Sequence, residues 1–169
     1  MAKPRLYLET TIPSYLTAWP SRDPYVAGQQ QITKDWWQQR KDDFEIYISQ
    51  FVWIEAAAGD ADAAEKRLDV LKSFPMLDAN EAMERLAAEI LELKVIPKKA
   101  ERDAAHIAIC AVHQIDYLMT WNCAHIANGE IIKVVRKICA RHGEARCGDC
   151  GFFSEVNESR RERTLRTKR

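Results

Sequence analysis

Short apolar runs alternate with stretches of helical period along most of this chain. Arg5 to Leu8 is brief and apolar, the signature of a buried strand. It passes through Glu9-Thr10-Thr11 into Ile12-Pro13-Ser14-Tyr15-Leu16, where proline suits the first turn of a helix. Residues 24–40 predict a second helix with adjacent Trp36 and Trp37, and Phe44-Glu45-Ile46-Tyr47-Ile48 alternates as a strand. Ser49 is positioned to cap a helix that carries Glu55 and stops at Gly59. Residues 62–72 and 80–93 place apolar residues at three- and four-residue steps, with Phe74-Pro75-Met76-Leu77 as a short strand between them. After Pro97, residues 99–113 predict a helix so apolar beyond Asp103 that protein must nearly surround it. Residues 116–120 predict another buried strand and residues 131–142 a last amphipathic helix.

Strands separated by helices pair in parallel through right-handed crossovers, so the expected fold is an α/β, three-layer α/β/α sandwich around a central parallel sheet. No repeat or low-complexity linker divides it. The expected organisation is one domain over residues 1–150 and a basic tail over 151–169. Residues 156–169 carry six basic and two acidic side chains, a net +4, so the remaining residues sum to −4 in a chain of formal net charge zero. Such a tail has no sustained apolar period and is expected to be disordered. The mildly acidic body favours cation binding over a broad phosphate-gripping surface.

A composition of 47% hydrophobic residues over 169 positions suffices for a single core. No segment approaches the roughly 20 apolar residues of a membrane helix, and the start lacks a secretory apolar stretch. A cytoplasmic protein without membrane association is expected. The cysteines agree with that reading, since Cys110 and Cys139 fall on helices as reduced thiols do.

The candidate chemistry is acidic. Glu9 ends the first strand, where open α/β sheets present ligand sites. Asn122 follows the strand ending in Thr120, Asp103 opens the apolar helix, and Glu55 follows a largely apolar run. Burying a carboxylate without a partner is unfavourable, so Glu55 calls for a cation or a hydrogen-bond donor. Each acid alone also fits a cap or a surface charge. Thr10, Thr11 and Ser14 flank Glu9; Thr11 suits a metal-bound water or a phosphate oxygen, and Thr10 suits a helix cap. His106 shares a helical face with Asp103, a setting that suits a proton shuttle or a zinc ligand, and reads first as a core histidine bonded to a carbonyl. His125, with Asn128, fits substrate contact or loop fixation. Cys139, His142, Cys147 and Cys150 have knuckle-like zinc spacing, against which Cys139 also reads as a helix-face residue.

The segments Tyr7-Leu8-Glu9-Thr10-Thr11-Ile12-Pro13-Ser14-Tyr15 and Tyr117-Leu118-Met119-Thr120-Trp121-Asn122-Cys123-Ala124-His125-Ile126-Ala127-Asn128, with Glu55 after Ser49 and Asp103 between them, resemble the PIN-domain family of metal-dependent ribonucleases. The likeness is to its VapC-like toxins of toxin–antitoxin pairs, over roughly residues 5–140. It implies a PIN-like fold and an endoribonuclease that hydrolyses RNA with Mg²⁺ or Mn²⁺. Glu9, Glu55, Asp103 and Asn122 would be the catalytic metal ligands, with Thr11 and His125 toward substrate. It also implies a small antitoxin protein as inhibitor and a homodimer. Glu9 and Asn122 stand where the family usually has Asp. Three carboxylates and one neutral amide favour a single ion over a close pair of dications. The chain's ending also departs from the family's short strand and acidic helix start. These departures leave room for an alternative, a catalytically silent PIN fold that binds RNA or a protein partner.

Overall fold

The computed structural model describes residues 2–141 and the backbone of 151–152. Its strands are β1 (Arg5–Leu8), β2 (Glu45–Ser49), β3 (Met76–Leu77), β4 (Tyr117–Met119) and β5 (Gly151–Phe152). The helices are α1 (Thr11–Thr17), α2 (Pro24–Arg40), α3 (Gln50–Ala56), α4 (Ala61–Leu71), α5 (Glu81–Glu92), α6 (Glu101–Val112) and α7 (Gly129–Arg141). The strands form one sheet in the order β3-β2-β1-β4-β5, and each pairing is parallel. This is the expected three-layer α/β/α sandwich.

Local chemistry explains the boundaries. Asp23, Asp60 and Asn80 accept backbone N–H groups at the starts of α2, α4 and α5, and Pro24 opens α2, where a missing N–H is harmless. Ser49 caps α3 by accepting from the Val52 N–H at 3.5 Å. Gly59 has φ +90°, a left-handed conformation open to glycine, in the turn between α3 and α4. Lys98–Ala100 makes a 3₁₀ turn before α6, so Asp103 lies in the first helical turn.

Leu6, Tyr7 and Leu8 of β1 are buried at the sheet centre together with Ile46, Ile48 and Leu118. Seven residues of α6 are buried, as its apolar run requires. Trp36 is buried and Trp37 partly so, both packed in the core. Helices α1, α2 and α4 pack together, as do α5, α6 and α7, the grouping that right-handed crossovers around this strand order produce.

Two expectations change. The backbone of Gly151–Phe152 pairs with Tyr117 and Leu118, so a short strand occurs where the tail was expected to begin. Cys139 is buried and disulfide-bonded, not the reduced thiol expected. The proposed zinc partners His142, Cys147 and Cys150, and the tail from residue 153, lie outside the described residues. Among the described residues, no helix is long and apolar enough to cross a membrane.

The chain places β2 and β3 on one side of β1 and then returns to place β4 on the other. At such a reversal, here between β1 and β4, open parallel sheets bind ligands beyond the carboxyl ends of the strands. The register aligns Leu8 with Met119 and Tyr7 with Tyr47. Glu9, Ser49 and Thr120 are consequently brought level along that edge.

Candidate metal centre at the carboxyl edge of the sheet

Glu9 is 5% exposed, and its Oε2 is tightly held. It accepts the Thr11 backbone N–H at 3.1 Å, the Thr11 hydroxyl at 2.6 Å and the Thr120 hydroxyl at 2.7 Å. Among the described residues, nothing hydrogen-bonds to Oε1. Thr11 Oγ1 also accepts from the Trp121 N–H, and Thr120 Oγ1 from the Asn122 N–H. The β1–α1 and β4–α7 connections are thereby tied to one carboxylate.

Glu55, in the last turn of α3, comes within reach from the next connection. Its Oε2 accepts from the Thr10 hydroxyl and lies 3.2 Å from His106 Nε2. Its Oε1 is 3.6 Å from the Arg102 guanidinium. Partial burial pushes the Glu55 carboxyl upward, but hydrogen bonds from His106 and Thr10 and the charges of His106 and Arg102 outweigh it, leaving the pKa below the ordinary value. The partner that an almost apolar approach demands is therefore present. Thr10 stands at the N-cap of α1 without a side-chain capping bond; its hydroxyl serves Glu55 instead of the cap expected from sequence.

His106 is 1% exposed. Its Nδ1 is 2.7 Å from the Tyr7 hydroxyl, itself 2.6 Å from Ser49 Oγ. Burial is the main reason that the Tyr7 pKa lies well above its ordinary value, reinforced by Cys110 and the nearby glutamates and opposed by the Ser49 bond. Tyr7 therefore remains a neutral hydroxyl able both to donate and to accept. Glu9, Glu55 and His106 offer one ligand atom each, all within 4.8 Å of one another.

The other candidates lie beside this group in a second arrangement. Asp103 Oδ2 is 2.7 Å from His125 Nδ1, and both side chains are partly buried. Asn122 Oδ1 accepts the His125 backbone N–H at 3.1 Å, so the amide shapes the loop that presents His125. Asn128 likewise holds its own loop, accepting from the Glu130 and Ile131 N–H groups and donating to the Ala124 carbonyl. Glu9 and Glu55 thus meet at one point, while Asp103 pairs with His125 and Asn122 supports that histidine. His106 is the member of the three-residue group that sequence reasoning set aside. The available signal was a tyrosine inside a buried strand two residues before Glu9, because a buried hydroxyl needs a polar partner.

Two carboxylates with one imidazole form a donor set suited to a divalent ion, and the unbonded Oε1 on a nearly buried Glu9 gives that set an open oxygen. No family model, curated protein or solved structure matches this chain.

Proposed function

We propose that the protein is a divalent-metal-dependent endoribonuclease of PIN-like type, hydrolysing RNA phosphodiester bonds at the carboxyl edge of β1 and β4. The observation that carries this reading is the convergence of Glu9 and Glu55 to metal-binding distance at the sheet's reversal point, in the order and setting of the sequence resemblance. Glu9 and Glu55 supply anionic oxygens for Mg²⁺ or Mn²⁺. A bound dication contributes Lewis acidity toward a phosphate oxygen and eases deprotonation of a nearby water.

The protein's own groups fit the remaining tasks. Asp103 orients His125 through Nδ1, leaving Nε2 to exchange a proton with water or with the departing sugar oxygen. Arg102, largely exposed beside Glu55, can meet a phosphate. The VapC-like resemblance adds a small antitoxin protein that covers the site and a homodimeric toxin; both belong to the same proposal, as does action in the cytoplasm.

One observation favours the silent alternative. Glu55 is already served by Thr10, His106 and Arg102, an arrangement that satisfies it without an ion. The test is cleavage of a mixed-sequence RNA labelled with fluorophore and quencher, in Mg²⁺ or Mn²⁺ and in chelator. Metal-dependent cleavage by wild type is expected, abolished by Glu9→Gln and reduced about 10²- to 10⁴-fold by His125→Ala, the range of a lost general acid or base. RNA binding by wild type without metal-dependent cleavage would put the silent reading ahead.

A further inference from the structure

We infer that His106 is a nitrogen ligand completing the Glu9–Glu55 centre, and that this centre selects a first-row transition-metal dication over Mg²⁺. The inference rests on the metal reading of the site, not on RNA as substrate. Three observations carry it. His106 offers one ring nitrogen to the group whose ligand atoms lie within 4.8 Å of one another, and its Nε2 is 3.2 Å from Glu55 Oε2. Glu9 is 95% buried by its 5% exposure and has an oxygen without a hydrogen bond among the described residues. On the far side of the imidazole, Nδ1 is held by a buried hydroxyl chain through Tyr7 to Ser49.

That chain can run in either direction. In the tautomer with Nε2–H donating to Glu55 Oε2, Nδ1 accepts the Tyr7 O–H and Tyr7 is free to accept the Ser49 O–H. Coordination needs the Nε2 lone pair. It is the tautomer with its hydrogen on Nδ1 that offers this lone pair; Nδ1–H then donates to Tyr7, whose hydroxyl turns toward Ser49. Ligating histidines generally have such an outer partner, which fixes the tautomer and raises ligand basicity. Imidazole suits Zn²⁺, Fe²⁺ and Co²⁺, and affinity at nitrogen–oxygen sites rises from Mn²⁺ through Co²⁺, whereas Mg²⁺ prefers oxygen and retains its waters. A buried imidazole therefore discriminates where an all-carboxylate site would not.

Cobalt and magnesium are the probes, applied to the full chain. Calorimetry should give Co²⁺ binding at least about tenfold tighter than Mg²⁺, in keeping with ligand type. Proton NMR of the Co²⁺ protein should show a hyperfine-shifted, solvent-exchangeable ring N–H, absent in His106→Gln. Tyr7→Phe retains the aromatic core packing and should weaken Co²⁺ binding by about 10- to 100-fold, the usual effect of removing an outer-shell partner, with a much smaller effect on Mg²⁺. A wild-type Co²⁺ complex lacking a shifted imidazole proton overturns the inference, as does equal affinity for the two ions. Cobalt bound with a thiolate absorption band and no such proton also overturns it by placing the ion at cysteine. A shifted His106 proton in a protein that leaves RNA intact would refute the nuclease reading alone. Mg²⁺-dependent cleavage with no imidazole signal would refute this inference alone.

Discussion

Replacing Thr120 by valine removes one hydroxyl at nearly constant volume and tests whether the site's carboxylate anchors the sheet edge. Thr120 Oγ1 donates to Glu9 Oε2 at 2.7 Å and accepts from the Asn122 N–H at 2.8 Å. Thr120 is buried, as is Glu9, so water cannot readily replace either partner. A hydrogen bond to a charged group contributes about 1.5–3 kcal/mol, and a stranded, partly buried N–H adds about 1 kcal/mol more. The expected loss is about 2–4 kcal/mol. At roughly 2–4 °C per kcal/mol for a chain of this size, the melting temperature should fall by about 10 °C. Urea unfolding in chelator at neutral pH measures the loss directly, with Thr120→Ser as the hydroxyl-retaining control. In a Glu9→Gln background the same substitution should be less harmful, because the missing bond no longer serves a charge. Thr120→Val within about 0.5 kcal/mol of wild type, the range of an inconsequential substitution, would refute the reasoning. An undiminished loss in the Glu9→Gln background would show that the carboxylate is not its source.

Glu55 has a folded pKa below its ordinary value, so its stabilising contribution is present above the unfolded pKa and is lost as pH falls through the depressed folded value. Glu55→Gln in chelator should therefore be less stable than wild type near neutrality and converge with it in acid; thermal melts across pH that show Gln more stable at neutrality would mean that Glu9–Glu55 repulsion dominates. Asn122→Asp adds an anion next to the Thr120–Glu9 link and should tighten Mn²⁺ binding by roughly tenfold, about 1.4 kcal/mol; an unchanged calorimetric titration would separate position 122 from the ion. Removing residues 156–169 takes six cations from the chain and should weaken RNA binding at low salt while flattening its salt dependence; identical salt slopes for the full and shortened chains would exclude the tail from RNA contact.

The fold was largely legible because the pattern and the punctuation agreed. The second predicted helix, residues 24–40, coincides with α2, where an acidic cap, a leading proline and sustained helical composition act together. Lys99 and Ala100 of the 3₁₀ turn at Lys98–Ala100 were absorbed into the predicted helix because both are ordinary helix formers. Gly151–Phe152 was missed for the opposite reason: two residues are too few for any periodicity, and their place is fixed by pairing with β4.

The site was legible as an edge but not as a set of partnerships. Sequence order could bring Glu9, Glu55, Asp103 and Asn122 to the carboxyl ends of strands, since topology alone accomplishes that. It could not decide which oxygen meets which donor. Asp103 and His106 lie three residues apart and share a helical face, yet Asp103 in the first turn reaches His125 while His106 meets Tyr7 and Glu55. Side chains alternate along an extended strand, so Tyr7 and position 9 lie on the same side. The hydroxyl of a fully buried Tyr7 needs a partner from the helix covering that side, and α6 offers His106 among otherwise apolar side chains. Satisfying Tyr7 turns the imidazole so that its other nitrogen faces Glu55. A demand for one buried hydrogen bond thus orients the ring at the proposed metal centre, and it explains how a histidine on an apolar helix can belong to both the core and the site.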